Sequence, residues 1–276
     1  MLRFMIDSHP EIAIPPETGF FCAGIHLKGT QDEMREQFLQ LIISYPPEAT
    51  AWNDFHIPVD EFRRCLEEIQ PFSIQEGFRL FYKIYASRFS KSRWGDKTPM
   101  YCRSLLKIQK LLPEAHFIHL IRDGRDVAVS LRKQWFSPGY DIATQAKYWR
   151  ENILQAHAQG SQCPHYLEIF YEELIRNPEN VLRQICDFIN LDFHYSMLHY
   201  YDSAPQRLKE HLERHQANGD LLVSQEVRYT QQINTTRPLD ISKIGVWKTK
   251  LQPEEILKYE KIAGDVLRSF GYSLAF

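Results

Sequence analysis

Apolar positions recur along this chain in two patterns. Long stretches space them three or four residues apart, which predicts amphipathic helices, and a few short runs are apolar nearly throughout, which predicts buried strands. The helical pattern covers residues 32–45, 59–69, 73–89, 102–111, 126–135, 142–158 and 253–270. The block "YEELIRNPENVLRQICDFINL" predicts a helix, a turn at Asn177-Pro178 and a second helix. Strands are predicted over residues 12–14, 115–121 and 165–170. Phe78, Phe81, Tyr82 and Tyr85 form a helically spaced stripe that reads as core. Residues 205–239 are polar and less regular in pattern. Strands alternating with helices of this length predict an α/β fold, a parallel sheet flanked by helices on both faces. Residues 1–276 show no repeat, low-complexity tract or Gly/Ser linker and read as a single domain. The opening "MLRFMIDSHP" places Leu2, Met5 and Ile6 at helical spacing, with no N-cap residue or strand before them.

Composition narrows the classes. Apolar residues make up 43% and charged residues 25% of the 276, an ordinary globular balance. A net charge of −2 offers no general attraction to nucleic acid or to an anionic membrane, so any basic site must be local. The five cysteines are odd in number and widely spread, without a CxxC. That argues against a disulfide framework or a thiolate zinc site and fits a reducing, cytoplasmic compartment. No apolar run reaches membrane-spanning length, and no signal peptide is visible.

In an open parallel sheet, ligands sit at the carboxyl ends of the strands. That directs attention to the corner after the strand ending at Ile121. Arg122 there can offer a planar fork to a phosphate, and Ser130, eight residues on, can offer a hydroxyl. Spacing alone favours a blander reading, a surface arginine and a helix-interior serine. His211 and His215 in "HLERH" stand at i and i+4, but Glu213 is misplaced for HExxH, and a polar, solvated helix face is expected instead of a metal site.

Several blocks together resemble PAPS-dependent sulfotransferases, PAPS being 3′-phosphoadenosine 5′-phosphosulfate. "PEAHFIHLIRDGRDVAVS" resembles the 3′-phosphate-binding segment, "GDKTP" a lysine-bearing loop near the sulfuryl group, and "FYEELIRNPENVLRQICDFINL" and "SKIGVWKTKLQPEEILKYEKIAGDVLRSFGY" two further blocks. "HPEIAIPPET" and "RDGRD" place the likeness nearest the tyrosylprotein and bacterial sulfotransferase-3 type. The resemblance covers nearly the whole chain. It implies a P-loop-type α/β fold, PAPS as co-substrate, no metal, and a hydroxyl or amine acceptor on a small molecule or peptide.

By the same resemblance, Arg122 and Ser130 would hold the 3′-phosphate and Tyr171 would contact the cofactor, although a packed aromatic is an equally good reading of Tyr171. Lys243 in "SKIGVWK" would close over the nucleotide, but this segment lacks the Arg and first Gly of the "RKGxxGDWK" form. Lys97 would stabilise the leaving group, and Glu17 would act as general base. A structural cap is the competing reading of Glu17, and His9 is the second candidate base. Family members carry a strand and a Gly-rich 5′-phosphosulfate loop before the helix that opens this sequence, so a first strand and loop upstream of Met1 are expected. Two rivals stand beside this reading. One is a P-loop kinase-like transferase. The other is a non-catalytic homologue that binds 3′-phosphoadenosine nucleotides. Acceptor choice is expected to lie in residues 205–236.

Overall fold

The structure, a computed structural model, describes every residue except Lys133 and Trp135. In chain order its elements are α1 (Leu2–Asp7), β1 (Ile12–Ala13), α2 (Gln31–Ser44), α3 (Val59–Glu67), α4 (Ile74–Ser87), β2 (Arg93–Trp94), α5 (Leu105–Leu111), β3 (Phe117–Ile121), α6 (Gly124–Leu131), α7 (Ile142–Gly160), β4 (Tyr166–Phe170), α8 (Tyr171–Arg176), α9 (Pro178–Phe188), α10 (Tyr200–Leu208), β5 (Arg214–His215), β6 (Leu221–Val223), α11 (Gln225–Gln232), α12 (Trp247–Lys250) and α13 (Pro253–Ser269), with short 3-10 turns between them. They form two compact units. The first comprises Met1–Tyr101, Lys110–Pro113 and Asp192–Pro238; the second comprises Cys102–Gln109, Glu114–Leu191 and Leu239–Phe276.

The first unit is built on the aromatic stripe of α4. Ser73 caps that helix by accepting the Glu76 N–H. Phe78, Phe81, Tyr82 and Tyr85 are fully buried. Phe81 meets Phe20 and Phe55 edge to face, with ring centroids 5.0 Å apart in each case, a geometry that the ring quadrupoles favour. Beside α4, β1 pairs in parallel with β2, Ile12 opposite Arg93 and Ala13 opposite Trp94. The Gly95 N–H extends the pairing by donating to the Ala13 carbonyl at 3.0 Å. Both strands therefore end at the same level, and the chain leaves each in the same direction.

The second unit centres on β3 and β4, which pair in parallel over their full length from Phe117 opposite Tyr166 to Ile121 opposite Phe170. Helices α6, α7 and α13 pack together around Ile121, Trp149, Ile153, Tyr259 and Val266. Gly124 opens α6 against this cluster. A Cβ there would lie 2.1 Å from the Tyr259 hydroxyl and 2.4 Å from the Trp149 ring, so only glycine lets the helix start so close.

The α/β class, the parallel pairing and the α4 core agree with the sequence pattern. Four expectations need correction. Residues 205–239 are more regular than their polar pattern suggests. Helix α10 runs through Pro205, β5 and β6 form an antiparallel hairpin, and α11 follows. The hairpin turn sits at Asn218-Gly219, where Gly219 takes a left-handed φ of 88°, a turn signal that the polar composition hides. His211 and His215 do not share a helix face, because His211 is buried in a turn and His215 lies in β5. The helix expected over residues 102–111 is a 3-10 turn, Pro99–Arg103, followed by α5. The helix expected over residues 126–135 begins earlier, at Gly124, and its expected end at Trp135 lies outside the described residues. Among the described residues, no helix is long and apolar enough to cross a membrane.

Candidate active site

In the first unit, Glu17 and Lys97 emerge from the ends of the parallel pair, Glu17 four residues after β1 and Lys97 three after β2. The Lys97 ammonium donates to Glu17 Oε1 in a direct ion pair. Both side chains are about half exposed, 44% for Lys97 and 49% for Glu17. An accessible acid–base pair at the carboxyl end of two parallel strands is where such a sheet presents reactive groups.

Beneath this pair lies a cluster of hydroxyls around Asp96. Thr18 Oγ1 and Tyr82 Oη donate to Asp96 Oδ2 at 2.5 Å and 2.6 Å, and Thr98 Oγ1 donates to Oδ1 at 2.8 Å. Tyr101 Oη lies 2.8 Å from Thr18 Oγ1. The Thr18 proton is committed to Asp96, so Tyr101 is the donor in that contact. Burial holds the Tyr82 and Tyr101 hydroxyls well above their ordinary pKa, and burial also raises that of Asp96. The Tyr82 ring stacks on Trp94 of β2 at 4.5 Å, joining α4 to the loop that carries Lys97.

In the second unit, Arg122 follows β3 directly. Its guanidinium lies over the Tyr171 ring, 4.3 Å from the centroid, and Nη2 donates to the Lys243 carbonyl at 2.8 Å. Arg122 Nε is buried and has no hydrogen-bond partner among the described residues. An unpartnered buried N–H on a cation is costly unless an acceptor reaches it. Burial raises the Tyr171 hydroxyl pKa, and the nearby Arg122 charge opposes that rise. Asp126, whose side chain is fully buried, accepts the N–H groups of Gly245 and Trp247 at 2.8 Å and 2.9 Å. It thereby clamps the loop that supplies the Lys243 carbonyl. Gly245 takes a φ of 73° in this loop, a conformation that favours glycine. Arg125 lies 3.7 Å from the Trp247 ring centroid and pairs with Asp123 and Glu260.

The structure thus joins Glu17 to Lys97, and Arg122 to Tyr171 and to the backbone of residue 243. Ser130 stands exposed on the last turn of α6. Lys243 meets Arg122 through its carbonyl, while its exposed ammonium lies 3.4 Å from Asp240. His9 is 2% exposed and held at both ring nitrogens. The Glu11 N–H donates to Nδ1, which leaves Nε2 to donate to the Asp192 carbonyl at 2.8 Å. That is a structural role, and it leaves Glu17 as the exposed candidate base. Asp96 and Asp126 escape a sequence reading although each adjoins a candidate motif, in "GDKTP" and "RDGRD". Their importance lies in which donors they hold, side-chain hydroxyls for Asp96 and backbone N–H groups for Asp126, and residue type does not reveal that.

Comparison with known proteins gives a consistent picture. The model of the Sulfotransferase family matches residues 1–195. Protein-tyrosine sulfotransferase 1 of Danio rerio is 24% identical over 185 residues, 64% of this chain and 47% of that protein. Protein-tyrosine sulfotransferase A of Caenorhabditis elegans is 21% identical over 279 residues, 99% of this chain and 63% of that protein. This chain therefore spans about half to just under two thirds of these relatives' length. The solved sulfotransferase domain from the curacin biosynthetic pathway aligns over 99% of this chain and 93% of its own, with a TM-score of 0.61 and 18% identity, a likeness of fold.

Proposed function

We propose, from the premise that this chain belongs to the sulfotransferase family, that it transfers a sulfuryl group from PAPS to a hydroxyl acceptor. The observation that carries the proposal is the exposed Glu17–Lys97 pair at the carboxyl ends of two adjacent parallel strands. PAPS would supply the activated sulfuryl group, which passes to the acceptor oxygen as 3′-phosphoadenosine 5′-phosphate leaves. Glu17 takes the proton of the attacking hydroxyl. The Lys97 ammonium neutralises charge that builds on the leaving oxygen, the larger electrostatic contribution in a loose transfer. Arg122 binds the 3′-phosphate. Its buried, unpartnered Nε is an N–H that a phosphate oxygen would satisfy. Ser130 adds a hydroxyl to that phosphate. Tyr171 holds the guanidinium flat, and Lys243 contributes its carbonyl to Arg122 and an exposed ammonium beside the nucleotide.

Family membership disfavours a kinase-like transferase. The relatives' names point to a tyrosine hydroxyl in a protein as the first acceptor to try. A reducing, cytoplasmic location belongs to the same reading and rests on the number and spread of the cysteines. The test is transfer of labelled sulfate from PAPS to a tyrosine peptide and to a small alcohol, with 3′-phosphoadenosine 5′-phosphate binding measured by calorimetry. Binding with turnover supports the proposal. Neither binding nor turnover sinks it, and binding without turnover favours the non-catalytic homologue.

A further inference from the structure

We infer that Asp96 is a positioning residue: its carboxylate, by holding Thr18 and Thr98 at once, sets the spacing between Glu17 and Lys97. The inference deepens the proposed transfer and rests on it for its catalytic meaning. Thr18 follows Glu17 directly, and Thr98 follows Lys97 directly. Their hydroxyls reach opposite oxygens of Asp96, at 2.5 Å and 2.8 Å. One carboxylate therefore ties together the two loops that leave β1 and β2. The Gly19 N–H reaches Thr98 Oγ1 at 3.4 Å, a second and weaker tie between the same loops.

The tie matters because the reactive side chains are not held by packing. Glu17 and Lys97 are about half exposed, so their placement depends on the backbone that bears them. That backbone is fixed one residue further on, where Thr18 is only 1% exposed. The cluster is also built for an ionised carboxylate. Three hydroxyls donate to Asp96, and a protonated acid would force one of them to turn away. Burial raises the Asp96 pKa, and the three hydrogen bonds from Thr18, Tyr82 and Thr98 oppose that rise. A purely apolar contact could brace the two loops, but it would not register them to one atom pair.

The experiment uses the 276-residue chain with Asp96→Asn, and with Thr18→Val and Thr18→Ser as a second route should the Asp96 variant fail to fold. Each is measured for kcat, for KM toward PAPS, for thermal melting, and for the rate at which acetic anhydride modifies Lys97, read by mass spectrometry. Misplacing catalytic groups by about 1 Å costs ~10²-fold in rate, so Asp96→Asn should lower kcat by about that factor while KM moves less than about threefold. Lys97 acetylation should rise by roughly three- to fivefold as its partner drifts, the upper end of what a half-exposed ion pair contributes. Thr18→Val should do the same, and Thr18→Ser should restore both readings. A folded Asp96→Asn protein, or Thr18→Val in its place, with kcat and Lys97 acetylation both within twofold of wild type overturns the inference. If wild type transfers no sulfuryl group, the proposed function fails, and the acetylation rates still decide whether Asp96 sets the pair.

Discussion

Replacing Arg122 by alanine should weaken 3′-phosphoadenosine 5′-phosphate far more than AMP. Three features of the structure set the size. The guanidinium is fixed before any ligand arrives, by the Tyr171 ring at 4.3 Å and the Lys243 carbonyl at 2.8 Å. Nε remains as a buried donor with no partner among the described residues. The side chain is 23% exposed, so solvent screens its charge only in part. A hydrogen bond between charged groups contributes about 1.5–3 kcal/mol net, which is roughly a 10- to 150-fold change in affinity. Low exposure and prior fixing place the expectation in the upper half of that range. AMP lacks the 3′-phosphate and should lose less than about threefold, the difference that separates a lost phosphate contact from general loosening. Arg122→Lys keeps the charge but loses the fork and the flat stacking on Tyr171, and it should fall between wild type and alanine. Isothermal titration of both nucleotides against all three proteins, with circular dichroism to check folding, is the assay. Equal losses for the two nucleotides would refute the 3′-phosphate role of Arg122 and the argument from its orphaned Nε.

Three further outcomes are expected. Glu17→Gln should lower kcat by ~10²–10⁴-fold with the melting temperature and nucleotide affinity nearly unchanged; a kcat within about threefold of wild type removes Glu17 as the base. His211 is held neutral by burial first and then by Arg3 and Arg228, with its pKa pushed down to about 2. The unfolded chain binds that proton below the ordinary histidine pKa and the folded chain does not, so stability is intact above pH 6.5 and falls as pH drops. The slope is about 1.4 kcal/mol per pH unit, and melting curves from pH 7 to 5 should show it in wild type and lose it in His211→Gln; parallel curves would contradict the burial argument. Gly124→Ala drives a Cβ into Tyr259 and Trp149 and should cost ~1–3 kcal/mol, a melting-temperature drop of roughly 2–12 °C, whereas a melting temperature unchanged within about 1 °C would show that α6 shifts freely.

The amino-acid sequence alone determined the α/β class, most of the long helices of the two compact units and the buried stripe of α4, and it singled out the candidate site residues. The elements are legible because each depends on local pattern, period 3.6 or near-continuous apolarity, whereas Glu17, Lys97, Arg122 and Tyr171 were singled out only by the resemblance of short motifs to a family. What only the tertiary structure decided are relations between distant segments. Pairing of β1 with β2 brings Glu17 and Lys97 into one ion pair across 80 residues. Folding of residues 239–247 onto α6 turns the carbonyl of Lys243, and not its ammonium, toward Arg122. Asp96 and Asp126 look like ordinary surface acids in sequence; in the fold Asp96 gathers three side-chain hydroxyls and Asp126 two backbone N–H groups, because a carboxylate's role is set by which donors the fold delivers to it. His211 reverses in the same way. Its i, i+4 partner suggested a solvated helix face, but the chain turns there and buries it between Arg3 and Arg228. Pattern records how a segment meets an average interior; charge and hydrogen bonding depend on the particular neighbour, and only the folded chain supplies it.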